Sequence, residues 1–430
     1  MFRVLLAALL VPVLEAPALT LDALVAEVDA ANPSARAAQH RVEAATAAIT
    51  RARTPEEPVA TFTVREVPTD PRMWMMPRTA IAQPMVMGQL GWMVPITGMP
   101  AVRGRMAAAM RDMATADVRM TRIALRRAAA VAWWQLWLNQ EAQRINREAA
   151  DTLEAIEQVA LAQYASGRAM HHGVLRIQAE RESIKTDALA LQQAQGALVA
   201  LINALRATPG RAIGTLEARL HQRVVWNEDK LLAAALRNRP ELAMARARRA
   251  GATAEESMAL RSLVPDPMVM FMLEARPGFI PPMPGGPPLP ETPMVGAGVA
   301  IPLPVFAPWR QLRDADAARS RQRAAMADAD AAEQTVTAEL RAVLVRITTL
   351  EQREELIVNA LEPRAREALE AAQAAMAAGQ ASALEVLESR RQLQGIALEL
   401  FNTRAEREAA LADLDATVAG PALQAQEGAP

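Results

Sequence analysis

Apolar residues recur every seven positions along several long stretches of the chain. In one stretch isoleucine or leucine fills every seventh position, at Ile177, Ile184, Leu191, Leu198 and Leu205. In another the spacing alternates between four and three residues and breaks only at Glu354; its positions are Val336, Leu340, Val343, Ile347, Leu350, Ile357 and Leu361. This spacing places an apolar seam along one side of a helix, as in coiled coils. We therefore expect long helices packed side by side.

The uninterrupted stretches are unusually long. Residues 103–165 contain no proline and no glycine after Gly104, so as one helix they would extend roughly 90 Å at 1.5 Å per residue. Residues 310–378 are similar and are interrupted only by Pro363. Helices of this length exceed an ordinary globular core and suit a tunnel wall or a coiled-coil stalk.

A period of two residues predicts strands in four places. In residues 60–65 apolar residues at even positions alternate with threonine or arginine, and in residues 295–301 apolar residues alternate with glycine at 296 and 298. Residues 268–273 are apolar at every position, which fits a two-faced strand less well. The fourth candidate is 89–96. Four strands are too few to close a barrel, since the smallest barrels have about eight.

The chain contains an internal duplication. A proline-led helix begins at Asn32-Pro33 and again at Arg239-Pro240, 207 residues later, and two predicted strands follow each helix. Each unit then continues as very long helix, turn and long helix. The sequence predicts a first structural repeat over residues 19–215, a second over 216–418, and a disordered tail over 419–430, which is small and polar.

Residues 1–18 are typical of a secretory signal peptide. Arg3 supplies a positive charge, a short apolar core follows, and Ala16-Pro17-Ala18 resembles a cleavage site. The core is too short to span a bilayer of about 30 Å. No later segment has 18 consecutive apolar residues, so any membrane part would consist of strands that close a barrel.

Composition excludes several classes of function. Forty-seven basic and 48 acidic residues nearly cancel, which disfavours a nucleic-acid surface. The absence of cysteine excludes disulfides, thiolate metal sites and cysteine nucleophiles. The chain has no zinc-protease motif, phosphate-binding loop or nucleophile elbow, and His40 and His221 are isolated. We expect neither enzymatic activity nor a cofactor.

Taken in order, these features resemble the TolC-like outer-membrane efflux proteins over nearly all of the mature length. The matching motifs are Arg239-Pro240-Glu241-Leu242, Ala300-Ile301-Pro302-Leu303-Pro304-Val305-Phe306, and Tyr164-Ala165-Ser166-Gly167 followed by Val174-Leu175. The resemblance implies a mainly α fold with a small membrane β part. Internally duplicated coiled-coil helices would form an α-helical barrel, and four strands per chain would contribute to a 12-stranded trimeric β-barrel.

The resemblance also implies location and partners. The protein would be a homotrimer in the lipid of the outer membrane of a Gram-negative bacterium, with a periplasmic tunnel. It would meet a periplasmic adaptor, also called a membrane fusion protein, and through it an inner-membrane pump of the resistance-nodulation-division type. The tunnel would conduct passively what the pump exports.

Four residues correspond to functional positions of that family. Glu385 and Glu388 match the acidic residues that narrow the periplasmic entrance, where rings of carboxylates would concentrate cations. Gly167 and Gly379 match the hairpin tips that contact the adaptor, and glycine permits the tight turn there. The alternatives are that both glutamates are ordinary solvated helix positions and that the glycines are structural turns.

Methionine is the unusual residue, with 22 in the chain. Thioethers are soft ligands for Cu(I) and Ag(I), so candidate metal residues are Met73, Met75, Met76, Met268, Met270 and Met272. The chain also resembles the heavy-metal branch of the family around residues 171–176. The alternative is that methionine replaces leucine on lipid-facing or packed surfaces.

Two other functions remain open on the sequence alone. The chain would be a periplasmic coiled-coil adaptor if it held a lipoyl-like β-domain beside one helical hairpin and lacked the duplicated strand pair. It would be a methionine-rich periplasmic metal-binding scaffold if it formed no barrel and stayed out of the membrane.

Overall fold

The computed structural model describes residues 19–65, 67, 69, 85–167, 170–275, 293–307 and 309–427. The predicted signal peptide lies outside these residues. The chain divides into two compact units, each drawn from both halves of the sequence. The first comprises the described residues of Met1–Gln39, Asp117–Leu242 and Ala332–Pro430 and is helical, whereas the second comprises His40–Ala116 and Ala243–Ala331 and contains the sheet.

The order of elements occurs twice along the chain. The first set is α1 (Leu21–Ala31), α2 (Pro33–Arg53), β1 (Val59–Arg65), β2 (Met85–Met93), α3 (Met99–Ala165) and α4 (His171–Leu205). The second set is α5 (Glu228–Asn238), α6 (Pro240–Arg261), β3 (Met268–Ala275), β4 (Met294–Ala300), α7 (Gln311–Leu356), a π-helical turn (Ile357–Leu361), α8 (Glu362–Ala377) and α9 (Ala383–Val418). A short helix, α10 (Ala422–Glu427), follows.

The same local chemistry starts both sets. α1 and α5 each have 11 residues and begin after a capping side chain: Thr20 Oγ1 accepts from Ala23 N at 3.3 Å, and Asn227 Oδ1 accepts from Lys230 N at 3.0 Å. Capping satisfies backbone donors that have no partner in the first helical turn. Proline then opens α2 and α6, where its fixed φ suits the first helical position.

All four strands join one antiparallel sheet in the order β1-β2-β3-β4. β2 pairs with β3, so the strand pairs of the two repeats meet in the middle of the sheet. β1 and β4 are the edge strands, and each has one side without a partner strand among the described residues. The predicted class, mainly α with a small β part, is confirmed.

The predicted heptad seam of α7 is buried or partly buried as far as Ile357. Leu340 and Ile347 are fully buried in a cluster with α5 and α9. Glu354 occupies a seam position because its carboxylate accepts from Arg404 Nε and Arg407 Nη1 of α9, both at 2.7 Å. The polar break in the pattern is therefore a helix-to-helix ion pair.

The seam ends where the helix changes its hydrogen-bond pattern. Pro363 has no backbone N–H and its ring crowds the carbonyl one turn earlier. The chain forms a π turn just before it, in which Glu362 N–H donates to Ile357 O. The extra residue rotates the following side chains, so Leu361, predicted for the seam, is 45% exposed.

The prediction of a disordered tail over 419–430 is wrong for residues 422–427, which form α10. Ala422 is buried, and its N–H donates to Asp415 Oδ1 at 2.7 Å. Gln426 Nε2 donates to Val225 O at 2.6 Å, and Gln426 Oε1 accepts from Asn227 N at 2.9 Å. These bonds fix the segment although its composition is small and polar.

Candidate functional site

One face of the sheet carries only apolar residues within the four strands. Directly opposed residues on neighbouring strands share a face, so the register assigns the following residues to it: Ala60, Phe62, Val64, Val86, Gly88, Leu90, Trp92, Val269, Phe271, Leu273, Ala275, Val295, Ala297 and Val299. We call it the apolar face. Phe62 is 83% exposed and Val295 80%. Soluble monomers rarely expose an apolar surface of this extent, so this face suits lipid or another protein.

Trp92 marks one end of the apolar face. Its ring is 41% exposed while its Nε1 donates to the carbonyl oxygen of Glu56 at 3.2 Å. A ring with an apolar body and a satisfied polar atom is typical of the boundary between lipid and water.

The opposite face collects every methionine of the four strands. The register places seven of them there: Met85, Met87, Met93, Met268, Met270, Met272 and Met294. We call it the methionine face. The structure thus brings three predicted metal residues, Met268, Met270 and Met272, to one surface, whereas Met73, Met75 and Met76 lie outside the described residues.

Glycines on neighbouring strands make room for these thioethers. A Cβ added to Gly91 would lie 3.6 Å from Met268 Sδ. One added to Gly296 would lie 3.4 Å from Met272 Cε, so that side chain lies against the next strand. The methionine side chains therefore lie along the sheet, over glycines of the neighbouring strands.

Both predicted tip glycines have the left-handed backbone conformation that favours glycine. Gly167 and Gly379 each have φ +73°, and each N–H donates to the carbonyl three residues earlier, Tyr164 O at 2.9 Å and Met376 O at 3.0 Å. Nothing lies within 4 Å of a Cβ added at either position. Backbone strain, not lack of space, therefore favours glycine here. Contact with an adaptor stays a prediction.

The two predicted entrance glutamates have different partners. Glu385 Oε1 accepts from Ser382 N at 3.3 Å and from Ser382 Oγ at 3.1 Å at the start of α9, as in a capping box. Glu388 Oε1 accepts from Arg176 Nη2 of α4 at 3.2 Å, and both side chains are well exposed. Glu385 thus caps the start of α9. The charge of Glu388 is partly balanced by Arg176 of the same chain. Their role at an entrance stays a prediction.

A charge network between His221 and α9, in which Glu408 is fully buried and His221 is half exposed, has no signature in the sequence. His221 Nδ1 lies 2.6 Å from Glu408 Oε2, and His221 N donates to Glu408 Oε1 at 3.0 Å. Arg407 Nη2 donates to Glu408 Oε1 at 2.7 Å and to His221 O at 2.9 Å. His221 and Glu408 are 187 positions apart in the chain, so the sequence does not indicate their pairing.

The network shifts the pKa values of both His221 and Glu408. The hydrogen bond to Glu408 raises the pKa of His221 above its ordinary value, although burial opposes it. Burial is the largest influence on Glu408 and raises its pKa, but the hydrogen bonds from His221 and Arg407 outweigh it, so the pKa ends below the ordinary value. The pair therefore favours imidazolium with carboxylate.

A cavity of about 620 Å³ opens beside this network. His221 and Glu408 line it together with Trp134 and Trp226. Its size is that of a small-molecule pocket, and protonation of His221 would change the charge on its wall.

Two other features of the chain bear on the site. Among the described residues, no three His, Asp or Glu side chains are grouped so that they could hold a metal ion. Of the described helices, α4 alone is long and apolar enough to cross a membrane by composition. Only 11% of its most apolar window is buried, although Ile177 and Ile202 near its ends are fully buried in two helical clusters.

Comparisons with known proteins point to one kind of molecule. Residues 290–420 match the family described as outer membrane efflux protein, while no curated protein sequence matches the chain. Among solved structures, CusC is 17% identical, with 93% of this chain and 92% of that chain covered and a TM-score of 0.76. The outer-membrane channel OprN is 18% identical, with 93% and 90% covered and a TM-score of 0.77.

A third similar structure is the outer membrane protein VceC from Vibrio cholerae. It is 18% identical, with 93% of this chain and 96% of that chain covered and a TM-score of 0.73. At these identities the likeness establishes the fold, and the fold extends over nearly the whole length of each relative.

Proposed function

We propose that this chain is the channel subunit of a tripartite efflux system, because residues 290–420 match the outer membrane efflux protein family and the fold is similar to that of solved outer-membrane channels. The single observation that carries the proposal is the exposed apolar face of the sheet. In water such a face would aggregate, whereas in a bilayer it would be solvated by lipid.

The sheet of one chain cannot span a bilayer alone. Among the described residues, its edge strands β1 and β4 each have one side without a partner strand. Unpaired backbone groups within hydrocarbon cost several kcal/mol each. Four strands are also below the roughly eight needed for closure. Pairing β4 of one chain with β1 of the next in a closed trimer satisfies both edges and yields a 12-stranded barrel with the apolar face outside.

The helical unit supports self-association as well. Leu189 of α4 is 67% exposed, Val345 of α7 is 66% and Leu356 is 64%. Apolar side chains on long helices are typical of surfaces that pack against another helix. In the proposed trimer, these helices line up as the wall of a periplasmic tunnel.

The partners follow from the same proposal. The glycine turns at Gly167 and Gly379 would meet a periplasmic adaptor, and an inner-membrane pump of the resistance-nodulation-division type would supply the energy. Exposed apolar residues near the first turn, Tyr164 at 45%, Met170 at 74% and Leu175 at 51%, offer contact area for the adaptor. Heavy-metal ions, Cu(I) or Ag(I), are the substrates that the methionine content favours.

A matched pair of charge substitutions in β1 tests the proposal. Phe62→Arg places a charge on the apolar face, and Thr61→Arg places the same charge on the neighbouring residue of the other face. Arginine facing lipid near the midplane costs about 2–4 kcal/mol per chain, so we expect Phe62→Arg to lose protein from the outer-membrane fraction. Thr61→Arg should remain there.

The comparison is made by membrane fractionation after equal expression. Equal loss of both variants, or equal retention of both, would show that the apolar face does not contact lipid.

A further inference from the structure

The two faces of the sheet differ in their long and aromatic apolar side chains, whereas valine, alanine and glycine occur on both. The apolar face contains leucine, phenylalanine, valine and tryptophan but no methionine, whereas the methionine face contains all seven strand methionines and no leucine, isoleucine or phenylalanine. If methionine merely replaced leucine as a packing residue, it would occur on both faces. The segregation indicates that sulfur, and not bulk, is what this surface needs.

Methionines occupy neighbouring positions on adjacent strands. Met93 is directly opposite Met268, and Met270 lies opposite Gly91, so Met268 and Met270 both reach the space above that glycine. A Cβ at Gly91 would be 3.6 Å from Met268 Sδ and 3.9 Å from Met270 Cγ. The middle strands β2 and β3 therefore present several sulfur atoms from adjacent positions.

The sulfur atoms of this face can act as electron-pair donors. Gln89 Nε2 donates to Met270 Sδ at 3.0 Å, so this sulfur already accepts from a polar group on the same face. Met268, Met270 and Met272 are partly exposed, and so are Met87 and Met93. The ionisable side chains that the register places on this face are Arg65 and Glu274. The surface is soft and nearly neutral.

We propose that the methionine face is a binding surface for soft monovalent cations, Cu(I) or Ag(I), that pass through the channel. The proposal rests on the proposed function, because the face lines a lumen only if the apolar face contacts lipid. Thioethers select such ions over hard cations. Neutral ligands that are repeated along a surface suit conduction, which requires binding at several sites and ready release.

A different occupant would use the same residues differently. Methionine surfaces also accommodate varied organic molecules because the side chain is flexible and polarisable. Replacement by leucine separates the two, since leucine keeps the apolar volume and removes the sulfur. A soft cation loses its ligands in that change, whereas an organic molecule keeps most of its contact surface.

The test uses the full-length protein, purified in mild detergent, and Ag(I) from silver nitrate in chloride-free buffer. Bound silver is measured by equilibrium dialysis for wild type, for the Met268→Leu/Met270→Leu/Met272→Leu variant, and for a control. The control, Met106→Leu/Met110→Leu/Met113→Leu, removes the same number of sulfur atoms from α3, outside the sheet.

We expect the sheet variant to bind silver at least roughly tenfold more weakly, the lower bound of the loss seen when support around a metal site is removed. The α3 control should match wild type. Equal binding by all three proteins would reveal adventitious silver on exposed thioethers only and would overturn the proposal, as would a wild type that binds none.

The particle mass of each protein, measured in the same preparation, tests the channel proposal separately from the cation-binding proposal. If the protein is a trimer that binds no silver, the channel proposal stands and the cation-binding proposal is wrong. Monomers would contradict the channel itself, whatever silver they bind. If the sheet variant loses export of an organic dye but binds silver like wild type, the surface serves organic substrates and the cation proposal is wrong.

Discussion

At the scale of single residues, several polar side chains make contacts in the fold that the sequence does not indicate. His221 stands alone in the sequence, and only the fold brings it to Glu408. Glu385 matched an entrance position in the sequence, and the structure shows that it also caps α9. The positive φ of Gly167 and Gly379 was predictable, because glycine between two long helical stretches already indicates a left-handed turn.

The network around His221 makes one contribution to stability dependent on pH. Its pKa is raised above 6.5 in the folded chain, so its stabilising effect is complete below that value and is lost as pH rises through the folded pKa. Glu408, whose pKa is lowered from 4.5, must stay ionised and does so above that value. Asp415 and Arg407 also act on the imidazole, the first raising and the second lowering its pKa.

We therefore expect His221→Gln to lower the thermal unfolding midpoint more at about pH 5.5 than at about pH 8.5. His40→Gln is the control, since His40 is exposed on α2 with a side chain 74% accessible, and its effect should be small at both values. The measurement is thermal unfolding of each variant in detergent at the two pH values. A loss of equal size at both would show that His221 packs as a neutral side chain.

At the scale of elements, the predictable features were those set by local sequence. Helix starts at Pro33 and Pro240, the heptads of α7 and the alternation of β1 follow from positions close in the chain. The two faces of β3 could not be predicted in this way, because methionine, valine and phenylalanine are all apolar. Only the pairing of β3 with β2 and β4 assigns each residue to a face. The π turn before Pro363 was missed because the proline suggested a simple interruption.

The pairing of α4 with α9 near the turns leads to a prediction about ion selectivity. Arg176 balances Glu388 within each chain. In the proposed trimer, Arg176→Gln would therefore leave three unbalanced carboxylates near the entrance, and Glu388→Gln would leave three arginines. Fixed charge at a constriction attracts ions of opposite sign.

We expect the ratio of cation to anion permeability in planar bilayers to rise by at least roughly twofold in Arg176→Gln and to fall in Glu388→Gln. Lys185→Gln, which removes a positive charge farther along α4, should change the ratio little. If Arg176→Gln and Lys185→Gln shifted the ratio equally, the pair would have no special place at the entrance.

In the molecule as a whole, the two sequence repeats do not coincide with the two compact units. The repeats follow one another along the chain, yet each compact unit takes segments from both. The sheet shows why, since its inner pair joins β2 of the first repeat to β3 of the second. Neither repeat would have a complete sheet or a complete helical core alone, and we infer that the chain in turn is completed by other copies of itself.

The mass of the particle extracted from the outer membrane decides whether the protein is a trimeric channel. Light scattering in mild detergent, corrected for bound detergent, gives the number of 46.4 kDa chains per particle. We expect three chains per particle, recovered from the outer-membrane fraction. A single chain that stays in the soluble periplasmic fraction would contradict the trimeric channel and would require another cover for the apolar face.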